Sequence, residues 1–306
     1  MTQFARTATG VFSALAAWSL IEPHLLRVRR FDVAMANLPP ATEGLRVVQL
    51  SDFHCSAITS RHIARRAVQT ANAQKPDVIV LTGDYVSRPD SYAGFLMAGR
   101  WAKSPMEYAQ EIARELGNLR APEGVWAVHG NHDESAGGFK VLDNLLEQNG
   151  VRVLTNSSTR LRGLAFVGLD DLRVGRTAVR QACEGIEQAE AQVVLSHNPR
   201  ILPLLNNRNA LVLSGHTHSG QVHVPFSRYR RRPFDMQGSR FNEGWYQNGE
   251  ARLYVSAGIG SVHLPLRFCC PPEITVFTLK NRTRISYTDR TDLDGSERNR
   301  DRVLDS

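Results

Sequence analysis

The chain has 306 residues, is 42% hydrophobic and carries a net charge of +7. That length supports one large or two small globular domains with an ample core. The positive balance suits phosphate esters or acidic lipid, and the absence of a Lys/Arg stripe interleaved with aromatics argues against nucleic acid.

Val11 to Ile21 is almost wholly apolar, and Glu22-Pro23-His24 then interrupts the run. It is about half the ~20 residues of a membrane span, so residues 1–31 read as an anchor or interfacial segment. Arg6 before the run admits a signal peptide, but no small-x-small cleavage site follows and no twin-arginine pair precedes it. Arg27, Arg29 and Arg30 would hold this flank at the cytoplasmic face of the inner membrane. Export of a membrane-anchored protein is the alternative.

Residues 40–280 alternate apolar runs with helical patterns. Leu45–Leu50 reads as a strand, and Thr59–Gln74 as a helix with Ile63, Ala67, Val68 and Ala71 on one face. Asp77–Thr82 is a buried strand by its β-branched run. Tyr108, Ile112, Leu116 and Leu119 share a helical face, and Val125–Val128 is a strand. Phe139–Asn149 is a helix stopped by Gly150. Further strands are expected at 164–169, 193–196, 211–214, 253–257 and 274–279, with Asn198-Pro199 opening a short helix. The pattern predicts an α/β fold, an α/β/β/α sandwich of two packed sheets with flanking helices. Residues 281–306, with six Arg and six acidic side chains, read as a mobile hydrophilic tail.

Five polar clusters follow strands: Ser51-Asp52-Phe53-His54, Gly83-Asp84, Gly130-Asn131-His132-Asp133, Ser196-His197-Asn198-Pro199 and Gly215-His216-Thr217-His218. Ligands of α/β folds gather at the carboxyl ends of strands, so these clusters predict a single site. A pleat continued beyond Leu50 would aim Asp52 and His54 the same way. Gly83 lets another backbone or a ligand approach Asp84. Asn131 offers a neutral oxygen, and His132 is a candidate general acid oriented by Asp133. The alternation of His216 and His218 would aim both at one cavity.

The four cysteines, at 55, 183, 269 and 270, form no C-x-x-C pair. That argues against a thiolate zinc site and a disulfide framework and suits a reducing compartment. Cys55 reads as a small spectator beside His54, and His129, His223 and His263 as core or supporting residues.

In order and rough spacing the five clusters resemble the calcineurin-like metallophosphoesterase superfamily across residues 45–280. The resemblance implies one metal held by Asp52, His54 and His218, a second by Asn131, His197 and His216, and Asp84 bridging them. His132, as imidazolium, would meet the phosphate or the leaving group. Two such cations lower the pKa of a shared water and clamp phosphoryl oxygens. The N/O ligand set suits Mn2+, Zn2+ or Fe. Leu50-Ser51-Asp52, Leu195–Pro199, Ser219-Gly220-Gln221 and Cys270–Ile274 also resemble a membrane-associated bacterial branch. That branch includes cell-wall-associated phosphoesterases and a UDP-2,3-diacylglucosamine pyrophosphatase of lipid A synthesis. The implied reaction is cleavage of a phosphodiester or pyrophosphate in a lipid-linked nucleotide, with release of UMP. The alternatives are a general phosphodiesterase or phosphatase with a soluble or wall-linked substrate and, remotely, a non-catalytic scaffold. Cys55-Ser56 and Ser219 depart from the usual pattern at the metal rim. Arg228, Arg230, Arg231, Arg232 and Arg240 follow the last motif and are expected to contact a diphosphate or an anionic membrane.

Overall fold

The computed structural model describes residues 3–59, 61–88, 103–223 and 241–282. The arginines at 228, 230, 231, 232 and 240 lie outside these, as does the tail from residue 283.

Two six-stranded sheets pack face to face. In the first, the spatial order is β1 (Arg27–Met35), β12 (Glu273–Asn281), β2 (Arg46–Leu50), β3 (Val78–Leu81), β4 (Val125–Ala127) and β5 (Val151–Val153). In the second it is β10 (Gly244–Asn248), β11 (Ala251–Val255), β9 (Ala210–Ser214), β8 (Gln192–Leu195), β7 (Leu164–Gly168) and β6 (Ser157–Leu161). Among the described residues the α-helices are α1 (Gln3–Ile21), α2 (Arg61–Ala73), α3 (Pro105–Leu116), α4 (Phe139–Gln148) and the short α5 (Val179–Ala182).

Strand periodicity sorts the side chains into three apolar layers. Val47, Val78 and Val80 of the first sheet meet Phe166, Val193, Leu211 and Leu213 of the second. The opposite pleats of β2 and β3, Val48, Leu50, Ile79 and Leu81, pack under α2, α3 and α4 through Ala67, Val68, Ile112, Leu116, Leu142 and Leu146. Val194 and Val212 turn outward to Ile201 and Leu202 of the 3-10 helix Pro199–Leu205. The result is the expected α/β/β/α sandwich.

β2, β3 and β4 run parallel, as do β7, β8, β9 and β11. Their carboxyl ends therefore emerge along common edges. Local signals explain the helix starts: Ser104 and Glu107 form a capping box with Pro105 behind Ser104, and the Asn198 side chain caps the Arg200 amide at 3.0 Å.

The boundary expected at residue 31 falls inside β1, which pairs with β12 from Arg27 to Met35. Arg27 pairs with Glu273 at 2.9 Å. Arg29 lies 3.7 Å from the same carboxylate and over the Phe31 and Tyr254 rings. Arg30 donates to Gln74 at 2.6 Å. These guanidiniums are thus engaged by the folded domain.

Candidate metal centre

The five clusters converge where the two sheets meet. Asp52, His54, Asp84 and His218 each present a ligand atom within 4.8 Å of the others, and Asp84, His197 and His216 do the same. Asp84 belongs to both groups.

The strand pleat does not continue through these residues. Asp52, His54, Asp84, His216 and His218 all have φ between 46° and 75°. L residues adopt this left-handed region at a cost, so such a concentration marks a site whose geometry is imposed by its surroundings. The expected convergence of Asp52 with His54 occurs, through tight turns instead of pleating. His216 and His218 likewise separate, one into each group.

Close backbone approach makes those turns feasible. Gly83, at φ 89°, lies so near Gly130 that a Cβ would overlap the Gly130 amide nitrogen. This is the approach that Gly83 was expected to permit. Gly258 follows β11, and a Cβ there would stand 2.7 Å from the Asp52 Cβ. The Gly258–Gly260 loop donates from Ile259 to the Ser51 carbonyl at 3.0 Å and from Gly260 to the Asp52 carbonyl at 2.7 Å. This sixth strand-end cluster carries no ligand type, so residue chemistry alone passed over it.

Each donor is oriented from behind. The Asp52 carboxylate accepts the His216 amide at 3.0 Å. Asp84 Oδ1 accepts the His132 amide at 2.8 Å, leaving Oδ2 3.3 Å from His54 Nε2 and 3.2 Å from His197 Nε2. One oxygen thus faces both groups, where Asp84 would be shared between two cations. His197 Nδ1 donates to the Thr82 carbonyl at 2.7 Å, which turns the Nε2 lone pair inward.

The donor set fits cations. Asp52 Oδ1, His54 Nε2 and His218 Nε2 are 2.8 to 3.9 Å apart. Ligands about 2.1 Å from a tetrahedral centre are spaced about 3.4 Å. The buried Asn131 Oδ1 finds no hydrogen-bond partner. An acceptor left bare in the interior is costly unless a cation takes it.

The electrostatics agree. Burial would raise the Asp52 carboxyl, but His218 holds it well below the carboxylate range. Burial likewise opposes Asp84, which His197 and His132 hold low. Against the burial that would lower it, Asp84 lifts His197 well above the ordinary imidazole range, so a bound cation would take the place of a proton on Nε2. Burial and the charge of His197 lower His216, and burial takes His218 down to about 4.

Two expectations about the Gly130–Asp133 loop are corrected. Asp133 does not orient His132. Its Oδ2 accepts the Asp84 and Gly130 amides at 2.8 and 2.7 Å, and its Oδ1 accepts the Tyr85 and Val86 amides at 2.7 and 3.4 Å. Asp133 therefore clamps the loop that carries Asp84. Burial and the neighbouring Asp84 charge push its carboxyl up to about 7, against the amides that favour the ionised form. The imidazolium expected of His132 is disfavoured by its surroundings. Burial, with the imidazoles of His54, His197 and His218, outweighs Asp84 and takes it down to about 3. Its Nδ1 accepts the Arg88 amide at 3.3 Å, so the neutral ring carries its proton on Nε2. Cations nearby would lower it further.

Ser219, at the departure from the usual pattern, turns its hydroxyl to Glu243 and to His223 Nε2, the latter at 2.9 Å. Cys55 is buried, and burial pushes its thiol up to about 12. His129 is paired with Asp143 at 2.7 Å and stacked on Phe139.

The sequence matches the family model described as calcineurin-like phosphoesterase over residues 45–220, a span that contains all seven candidate ligands. Among curated relatives, it is 32% identical to the uncharacterized metallophosphoesterase YkuE of Bacillus subtilis, over 89% of this chain and 96% of that one. It is 27% identical to an uncharacterized metallophosphoesterase of Aquifex aeolicus, over 88% and 97%. It is 30% identical to the phosphodiesterase YaeI of Escherichia coli, over 76% and 82%.

Proposed function

The chain belongs to the calcineurin-like phosphoesterase family and is a metal-dependent phosphoester hydrolase, and we propose that it hydrolyses phosphodiesters at a dinuclear centre built on Asp84. One observation carries this reading: a single carboxylate oxygen faces both donor groups, beside a buried amide oxygen without a partner. Asp52, His54 and His218 would hold one ion and Asn131, His197 and His216 the other. The mixed imidazole, carboxylate and amide set suits Mn2+, Zn2+ or Fe. When bound, two such ions supply an activated water and charge for the phosphoryl oxygens.

The chain's own residues do the rest. His132 Nε2–H points to a hydrogen-bond donor for a phosphoryl or departing oxygen, acting as a neutral imidazole. Asp133 fixes the Asp84 loop, and Thr82 fixes the His197 tautomer. The relative named a phosphodiesterase supports a diester over a monoester.

Turnover of a chromogenic phosphodiester with Mn2+, beside an Asp84→Ala control, tests the reading. Hydrolysis by wild type alone is expected, and its absence with two ions bound would overturn it. A second reading is cleavage of a lipid-linked pyrophosphate such as UDP-2,3-diacylglucosamine. It draws support from the exposed apolar helix α1 beside the site. UMP release from that substrate, in preference to simple diesters, would favour it.

A further inference from the structure

Helix α1 stands almost clear of the protein body. Among the described residues, eight large apolar side chains are exposed, and six of them are Phe12, Leu15, Trp18, Leu20, Ile21 and Leu25. Phe12 is 74% exposed and Leu20 55%. Successive residues of a helix step by about 100°, so the five on α1 spread around its whole circumference. A protein groove takes one apolar stripe; a helix apolar on all sides suits a lipid phase. An isolated helix with no packing partner is also only marginally stable in water.

The charge around the foot of α1 is complementary to anionic lipid. α1 has no acidic residue; on α2, Arg61 and Arg65 share the Glu115 carboxylate, while His62 and Arg66, the latter donating to the His24 carbonyl at 2.7 Å, lie at the foot of α1. A cleft of about 300 Å³ between residues 23–26, just beyond α1, and α2 is lined by Pro23, His24, Leu26, His62, Ile63 and Arg66. Basic tips over apolar walls match a phosphate headgroup above its acyl chains. No helix among the described residues is long and apolar enough to cross a membrane.

The foot of α1 is also tied to the candidate centre. Glu22, 2% exposed, accepts the amides of Cys269 and Cys270 and the Trp18 indole at 2.8 Å. The Cys270 thiol donates to the His218 carbonyl at 3.3 Å. Arg267, fully buried, donates its amide to the Ser19 carbonyl at 2.9 Å and its guanidinium to the Ala257, Gly258 and Gly260 carbonyls beneath Asp52. A buried carboxylate and a buried guanidinium thus fix the helix against the loops that shape the centre.

We propose that α1 beds into the surface of a bilayer containing anionic lipid, and that Glu22 and Arg267 hold the centre beside it, so that the site takes phosphoesters carried by lipid. The docking stands on its own; the substrate class rests on the phosphohydrolase reading above.

The metal-loaded full chain should co-sediment with vesicles of phosphatidylcholine and phosphatidylglycerol, and less with phosphatidylcholine alone. The double variant Phe12→Gln, Leu15→Gln keeps helix-forming residues and touches no site residue. It should weaken vesicle binding by about tenfold or more. Its turnover of a soluble chromogenic diester should match wild type, while hydrolysis of a lipid-borne diester in the same vesicles falls with binding. Equal vesicle binding by variant and wild type, or none by wild type, would overturn the docking. Lipid-borne turnover that ignores lost binding would overturn the substrate class. Failure on the soluble diester with intact vesicle binding would count against the phosphohydrolase reading and leave the docking standing.

Discussion

Replacing Asp133 by Asn separates a loop clamp from a catalytic orienter. Each Asp133 oxygen accepts two backbone amides, from Asp84 and Gly130 on one side and from Tyr85 and Val86 on the other. An Asn must aim its NH2 at one of those pairs, leaving two buried donors facing a third. Hydrogen bonds to a charged acceptor contribute about 1.5–3 kcal/mol each, so at a pH above about 7, where Asp133 is ionised, the loss is about 3–6 kcal/mol. Typical domains are stable by only about 5–15 kcal/mol. For a chain of 306 residues a loss of about 3–6 kcal/mol corresponds to a melting-temperature drop of roughly 5–9 °C. Because the Asp84 amide is one of the released donors, metal content should fall as well. Thermal melts, metal analysis and kcat on a soluble diester would be measured together. A variant with unchanged melting temperature and metal content, impaired in kcat alone, would refute the clamp and restore Asp133 as the partner of His132.

Gly83→Ala should lose metal and most activity, since its Cβ would overlap the Gly130 backbone at a φ unfavourable for alanine; wild-type metal binding would contradict that packing. Cys55→Ala should keep metal content and kcat within about twofold at a stability cost near 1 kcal/mol, because the neutral thiol sits in the apolar layer under α2. Loss of one metal ion from that variant would show Cys55 to be a ligand. Burial would raise the Glu115 carboxyl, but Arg65 and Arg61 lower it below its ordinary value. A depressed carboxylate stabilises the fold above its unfolded pKa and loses that contribution as pH falls through the folded value. Both arginines are about half exposed, so Glu115→Gln should cost at most about 1 kcal/mol near neutral pH and nothing in strong acid. Denaturant melts at the two pH values would measure this, and an equal cost at both would contradict it.

The ligand types and their strand-end positions were legible because the chemistry is local. Asp52, Asp84, Asn131, His197 and His216 each follow an apolar run that the pleat identifies as a strand. How they converge was not legible. Left-handed turns at Asp52 and Asp84 sit against close backbone approaches at Gly83, Gly130 and Gly258, which come from distant segments. Strand β1 was hidden for a related reason. Its arginines suit a membrane flank as well as a strand, and only pairing with β12, some 246 residues later, reveals the strand. In sequence Glu22 reads as part of the interruption of an apolar run, and Asp133 as the residue that orients His132. Their role as acceptors for backbone amides belongs to the tertiary fold.

The central claim is that two cations share Asp84, and metal stoichiometry tests it most directly. Wild type, Asn131→Ala and Asp84→Ala would be loaded with Mn2+, freed of excess ion and analysed for metal per chain. The account predicts two ions in wild type, one in Asn131→Ala, and fewer than one in Asp84→Ala. A wild type that holds a single ion, or an Asp84→Ala variant that keeps two, would contradict it.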